Sequence, residues 1–99
     1  VTFPEPDAAT LGGITPWLEV ASLAESSGLR VTSHGVHDIH VHLLAAVPNA
    51  SYLEVHGFGL ERFIAEPLSL EDGLALAPER AGHGISLEFA ALEEYRLPD

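Results

Sequence analysis

The sequence predicts an α/β fold: consecutive parallel βαβ units, then a hairpin, a loop and a short C-terminal helix. Two observations predict it. From residue 1 to residue 55, short β-branched runs alternate with runs of helical period, joined by short connections. Beyond them the pattern changes to short apolar runs punctuated by turn residues.

Each element has its own signal. Residues 1–3 read as the stub of a strand, ended by Pro4 and Pro6. Thr15 suits a helix N-cap, and Pro16 the first helical position, where its missing N–H costs nothing. Trp17, Val20, Ala21 and Ala24 then recur at helical spacing, with Leu18 widening the stripe and Gly28 as the stop. LRVTS (29–33) is a β-branched strand ending at His34. A second helix is expected over about 38–47, with Ile39, Leu43, Ala46 and Val47 facing the core and Pro48 stopping it. SYLEV (51–55) is the third strand, with Glu54 near its end. LSLEDGLALAP (68–78) predicts a hairpin turning at Glu71, Asp72 and Gly73, AGHG (81–84) a loop, and 87–95 a short amphipathic helix. Three parallel strands and two crossover helices do not cover both faces of a sheet. The chain is therefore expected to be part of a larger domain.

Composition narrows the partners. The 99 residues suffice for one domain, and a hydrophobic fraction of 46% is ample for a core. Fifteen acidic residues face four arginines and no lysine, for a net charge of −11. Nucleic acid and anionic membrane surfaces would repel such a chain, so neither is an expected partner. With no cysteine there is no disulfide and no thiolate metal site. The opening VTFPEPD has neither the basic nor the apolar region of a signal peptide, and the longest apolar run, 43–47, is too short to span a bilayer. A cytoplasmic protein is expected.

Asp7, His34 and Glu54 fall at the C-terminal ends of the three expected strands. In a (β/α)₈ barrel those ends carry the active site, and in an open α/β sheet they face the ligand crevice. A single histidine after a strand is usually a loop histidine; three ionisable groups so placed carry more weight.

The runs PDAATLGGIT (6–15), SH (33–34), HLLAAVPNASYLE (42–54) and PLSLEDGLALAPERAGHGISL (67–87) resemble the C-terminal end of the mandelate racemase-like branch of the enolase superfamily. The intervals of 27 residues from Asp7 to His34 and 20 from His34 to Glu54 fit that branch. The resemblance implies the sixth to eighth strands, with their helices, of a (β/α)₇β TIM-like barrel. It implies that His34 is the general acid/base at the carbon next to a substrate carboxylate, with Asp7 holding its imidazole in the productive tautomer. Glu54 would bind the substrate carboxylate and stabilise the developing enolate. Mg²⁺ is the implied cofactor, with its three carboxylate ligands and an opposing lysine on earlier strands, so no metal ligand is expected among these residues. The implied reaction is acid-sugar dehydration, or racemisation or epimerisation. Dehydration is preferred, because His34 can serve both as base and as acid for the leaving hydroxide.

The partners then expected are a small carboxylate or sugar-acid substrate, the remainder of the barrel or another protomer, and further copies in a homo-oligomer. A different reading is a non-catalytic fragment that oligomerises or binds a partner through its uncovered apolar faces.

Simpler roles suffice for the other polar residues. His37 and His40 lie three apart and a zinc or nickel site is conceivable, but amphipathic helices tolerate such histidines and His42 lies on another face. Asp38 is then a first-turn acidic residue. His56 and His83 are expected in loops, His83 between glycines where it can approach a ligand. Gly12 and Gly13 lack a dinucleotide fingerprint and serve a tight turn. Trp17 is a packing residue, and the pairs Glu71–Asp72 and Glu93–Glu94 are solvated surface.

Overall fold

Where three parallel strands are expected, the computed structural model, which describes all of residues 1–99, shows three extended segments joined by few hydrogen bonds. The middle segment is bonded on both sides. Thr32 and His34 donate their N–H groups to the Pro4 and Pro6 carbonyls at 3.1 and 3.4 Å. On the other side Val31 N–H meets the Asn49 carbonyl at 2.9 Å, and Ser51 N–H meets the Val31 carbonyl at 2.7 Å. The single parallel bridge, Val31 to Ala50, is all that is regular.

The expected strands at 1–3, 29–33 and 51–55 are therefore corrected to extended chain, for two physical reasons. Pro4 and Pro6 have no N–H, so on the edge that faces the middle segment they can only accept. Farther along, side chains replace the backbone ladder. The Thr32 hydroxyl donates to the Tyr52 carbonyl, and Glu54 N–H donates to Ser33 Oγ at 3.2 Å.

Three helices pack on this frame. A short helix not foreseen in the sequence, α1 (Ala8–Leu11), begins at Asp7, whose side chain caps it by accepting from Ala9 N–H at 2.9 Å. Gly12 (φ 97°) and Gly13 (φ 130°) turn the chain into α2 (Ile14–Ser26), a backbone path that a side chain would strain. Gly13 is the N-cap, so Thr15 is not, and Pro16 stands third in the helix. That position still lies among the N-terminal N–H groups that need no partner within the helix, which is why the ring is tolerated.

Helix α3 (His37–Ala46) spans nearly its expected range but is rotated from its expected face. His37, His40, Val41 and Leu44 are buried with Leu43, whereas Ala46 is exposed and Ile39 and Val47 are half-buried. The buried set follows the i, i+3, i+4, i+7 rule, with two histidines on it.

The core is small: Ala8, Trp17, Ala21, Val31, Leu43 and Leu44, with Ile39, Val47, Ala50 and Leu53 around it. Leu18, expected in the stripe, is exposed. Asn49 donates from Nδ2 to the Ala21 and Leu29 carbonyls at 3.0 and 3.1 Å, fastening the end of α2 to the third segment.

The C-terminal half is peripheral. After a 3₁₀ turn (Leu60–Phe63), the hairpin forms as expected, β1 (Ser69–Glu71) against β2 (Leu74–Leu76). Asp72 and Gly73, both at positive φ, make the two-residue turn. The helix expected over 87–95 is shortened to α4 (Phe89–Leu92) followed by a 3₁₀ turn (Glu93–Tyr95). Its start is delayed because Leu87 bridges Ile64, and Glu88 N–H is held by the Phe63 carbonyl at 2.8 Å.

Trp17 is fully buried and donates its indole N–H to the Pro6 carbonyl at 2.9 Å. In the protein that carries this chain, Trp17→Ala is expected to cost about 3–5 kcal/mol of unfolding free energy. Trp17→Phe, which loses the hydrogen bond and part of the volume, should cost about 1–3 kcal/mol. Urea unfolding measures both; equal small losses would contradict this placement of Trp17.

Candidate active site

The hydrogen bonds from Thr32 and His34 to the first segment set the ends of the first and second segments side by side, and this brings Asp7 to His34. Asp7 Oδ2 lies 4.0 Å from His34 Nδ1. That is an ion-pair distance rather than a hydrogen bond, and catalytic hydrogen bonds commonly tighten only around substrate. The two side chains differ sharply in exposure, 57% for His34 against 12% for Asp7. Asp7 sits behind, and the imidazole faces solvent.

Glu54 reaches the same place from the third segment. Its Oε2 accepts from Gly35 N–H at 2.9 Å, immediately after His34. The three residues expected to act together are thus gathered around one turn, residues 34–35. Glu54 is exposed.

Two participants were missed in the sequence. Gly35 is buried at φ 89°, and a Cβ there would lie 3.0 Å from the Asp7 carboxylate carbon. His40 is fully buried, with Nε2 accepting from Ala8 N–H at 2.9 Å and lying 3.8 Å from Asp7 Oδ1. A backbone N–H can only donate, so Nε2 is unprotonated and the ring proton sits on Nδ1. Nδ1 has no hydrogen-bond partner within normal range. Desolvation lowers the His40 pKa from its ordinary value. The Asp7 carboxylate opposes this, as does the Gly35 backbone, placed too loosely to count as a hydrogen bond; His34 and His37 reinforce the lowering. The signal for His40 was its helical spacing to Leu43 and Leu44, which puts it on the buried face.

The remaining histidines have local roles. His37 Nε2 lies 3.4 Å from Asp38 Oδ2, and its ring packs 4.9 Å from that of His56. Asp38 is a first-turn residue of α3, as expected, but it is buried. His42 Nε2 donates to the His83 carbonyl at 2.9 Å, and His83 Nδ1 accepts from Ile85 N–H at 3.0 Å. No group of three or more His, Asp or Glu side chains could hold a metal ion. No helix is long and apolar enough to cross a membrane.

Residues 1–91 match the enolase C-terminal domain-like family. The chain belongs to that family. It falls in the mandelate racemase/muconate lactonizing branch, close to acid-sugar cycloisomerases and dehydratases. It is 51% identical, over 93% of its length, to 3,6-anhydro-α-L-galactonate cycloisomerase of Streptomyces coelicolor, and covers 26% of that protein. A crystal structure of a racemase from Streptomyces coelicolor A3(2) with bound magnesium superposes with a TM-score of 0.89 at 47% identity, covering 95% of this chain and 26% of that one. L-Talarate dehydratase from Polaromonas sp. JS666, complexed with Mg and L-glucarate, gives a TM-score of 0.84 at 41% identity, covering 92% of this chain and 25% of that one. The chain thus spans about a quarter of the length of the relatives it matches, and covers only part of an enolase C-terminal barrel domain.

Two predictions follow from the geometry around Asp7. Gly35→Ala should displace the Asp7 carboxylate and cost about 1–3 kcal/mol through its positive φ. A crystal structure and a urea titration of the variant check both effects; an unmoved carboxylate contradicts the first. His40 has its pKa lowered in the folded state, so its contribution to stability is complete above the ordinary value of 6.5 and is lost as pH falls toward the folded value. In that window the unfolded chain binds a proton that the folded chain refuses. His40→Gln should flatten this part of the stability-against-pH curve, measured by denaturant midpoints between about pH 5 and 7.5.

Proposed function

We propose that the 99 residues form the sixth to eighth strand segments of an enolising enzyme's barrel, carrying one acid/base half of its active site. The substrate class is an acid sugar, and the first step is removal of the proton alpha to its carboxylate. The observation that carries this is the pairing of a solvent-facing His34 with a largely buried Asp7 behind it. The acid-sugar names of the relatives support the substrate class.

In this reading His34 accepts the alpha proton on Nε2, while Nδ1 faces Asp7. The carboxylate fixes the ring's orientation and stabilises the imidazolium that forms. Glu54, anchored by the Gly35 N–H, is placed to meet the substrate carboxylate. The reaction then ends by loss of a β-hydroxyl, with His34 returning its proton to the leaving hydroxide. Reprotonation of the same intermediate would make a racemase or epimerase instead. Magnesium belongs to the proposal only as a group held outside these residues, because the side chains here form no set that would bind it. No step above passes through it.

A second reading, an oligomerisation or partner-binding module, is favoured by the exposed apolar surface. Only 16 of 99 residues are buried, while Leu23, Tyr52, Phe58 and Phe89 are mostly exposed. One assay separates the two. The full-length protein, incubated with acid-sugar carboxylates and magnesium in deuterated water, should exchange its substrate's alpha proton. His34→Asn should slow exchange on the His34 face by about 10²–10⁴-fold, the usual weight of a general base. Undiminished exchange in that variant removes His34 from the mechanism, and no exchange in the wild-type protein leaves the module.

A further inference from the structure

We propose that His40, from inside the core, is the positioning residue that aims Asp7 at His34. This rests on the acid/base reading above and deepens it by adding a residue that never meets substrate.

Three observations place His40 in that role. The first is the division of donors at the start of α1. Ala8 and Ala9 both present N-terminal N–H groups that lack partners within the helix. His40 Nε2 takes the Ala8 N–H at 2.9 Å, and Asp7 Oδ1 takes the Ala9 N–H at 2.9 Å. Asp7 Oδ2 is thereby left for His34. Without an acceptor at residue 40, the buried Ala8 N–H would have no partner. The Asp7 carboxylate, whose Oδ1 lies 3.8 Å from Nε2, would also lose the ring that walls it on this side and be free to turn.

The second is confinement. Gly35 leaves no room on another side of the carboxylate, since a Cβ there would stand 3.0 Å from Oδ2 and 3.1 Å from Oδ1. His40 Nε2 stands 3.8 Å from Oδ1. The carboxylate is held between a backbone wall and an imidazole, and its remaining opening is toward His34.

The third is the state of the ring. Accepting from Ala8 requires Nε2 to be unprotonated, so His40 contributes no full positive charge beside Asp7. The charged and titratable groups facing it are Asp7, His34 and His37, and burial outweighs the attraction of Asp7 in keeping it neutral. A cationic His40 would lose the Ala8 hydrogen bond and compete with His34 for the same carboxylate. With solvent exposure of 0%, the ring cannot itself reach substrate.

The test uses the full-length protein and two polar variants of different reach. In His40→Gln the side-chain carbonyl can take the place of Nε2 and accept from Ala8. In His40→Asn the carbonyl falls short of it. His40→Gln should retain kcat for alpha-proton exchange to within a few-fold. His40→Asn should lower kcat by roughly 10- to 100-fold with little change in KM, the effect of a misaimed group rather than of lost substrate binding. Equal kcat in the two variants overturns the proposal, as does a loss confined to KM. Crystal structures of both variants decide the matter without reference to activity. The separation of His34 Nδ1 from Asp7 Oδ2 should stay near 4.0 Å in His40→Gln and change in His40→Asn, with the Asp7 carboxylate rotated into the space the imidazole leaves. If the two carboxylates superpose, His40 does not position Asp7. Should the wild-type protein exchange no alpha proton, the acid/base reading fails on its own account, and the crystallographic comparison still decides the role of His40.

Discussion

The Pro6 carbonyl accepts two hydrogen bonds, from the Trp17 indole at 2.9 Å and from the His34 backbone N–H at 3.4 Å. One anchors the core face of α2, and the other anchors His34. The next residue along the chain is Asp7. A single peptide group therefore sets the position of the carboxylate relative to both the core and His34. Proline fixes φ here, and the two hydrogen bonds fix the carbonyl's own direction, which depends on ψ. The core and the site are coupled through one acceptor.

The parts that were legible in the sequence are those written in short-range chemistry. Asp72–Gly73 announces a two-residue turn because both positions need positive φ, and the hairpin formed around them. Pro48 and Gly28 bracket the helices for similar local reasons. Asp7, His34 and Glu54 were legible because each ends an extended run, and geometry at chain ends survives even when the ladder between the runs does not. What was not legible is what tertiary context decides. The extended runs look like complete strands, but regularity depends on partners along both edges, and the prolines withhold donors from one of them. Asp7 was read only as a site residue, yet it also caps α1, because a carboxylate at a strand end is within reach of the next N–H groups. The stripe of α3 was misread by the common weighting of Ile and Ala over His. The buried stripe runs through His37 and His40 because each imidazole finds a polar neighbour, Asp38 for one and the Ala8 N–H for the other.

The small core and the exposed apolar side chains belong to the same picture. Parallel βαβ segments bury their apolar faces only when further layers cover them. A structure with Tyr52 at 78% and Phe89 at 75% exposure has apolar surface to give to neighbouring elements. The site does not share this openness at its base, where Ser33, Gly35 and His40 are buried. The buried part of the chain thus includes the base beneath Asp7 and His34, and the uncovered apolar side chains belong to the rest.

Two imidazoles flank one carboxylate at almost equal distance, 4.0 Å for His34 and 3.8 Å for His40, and burial and the Ala8 hydrogen bond distinguish them. The exposed ring faces solvent. The buried ring cannot gain a charge without losing both solvation and the Ala8 hydrogen bond, so it behaves as a fixed acceptor. The same residue type therefore stands in opposite surroundings on the two sides of Asp7. A carboxylate that meets the lone pair of a neutral nitrogen on its inner side and a helix N–H at its tip is turned outward. The proposed pairing of Asp7 with His34 rests on that asymmetry more than on the identity of the three residues.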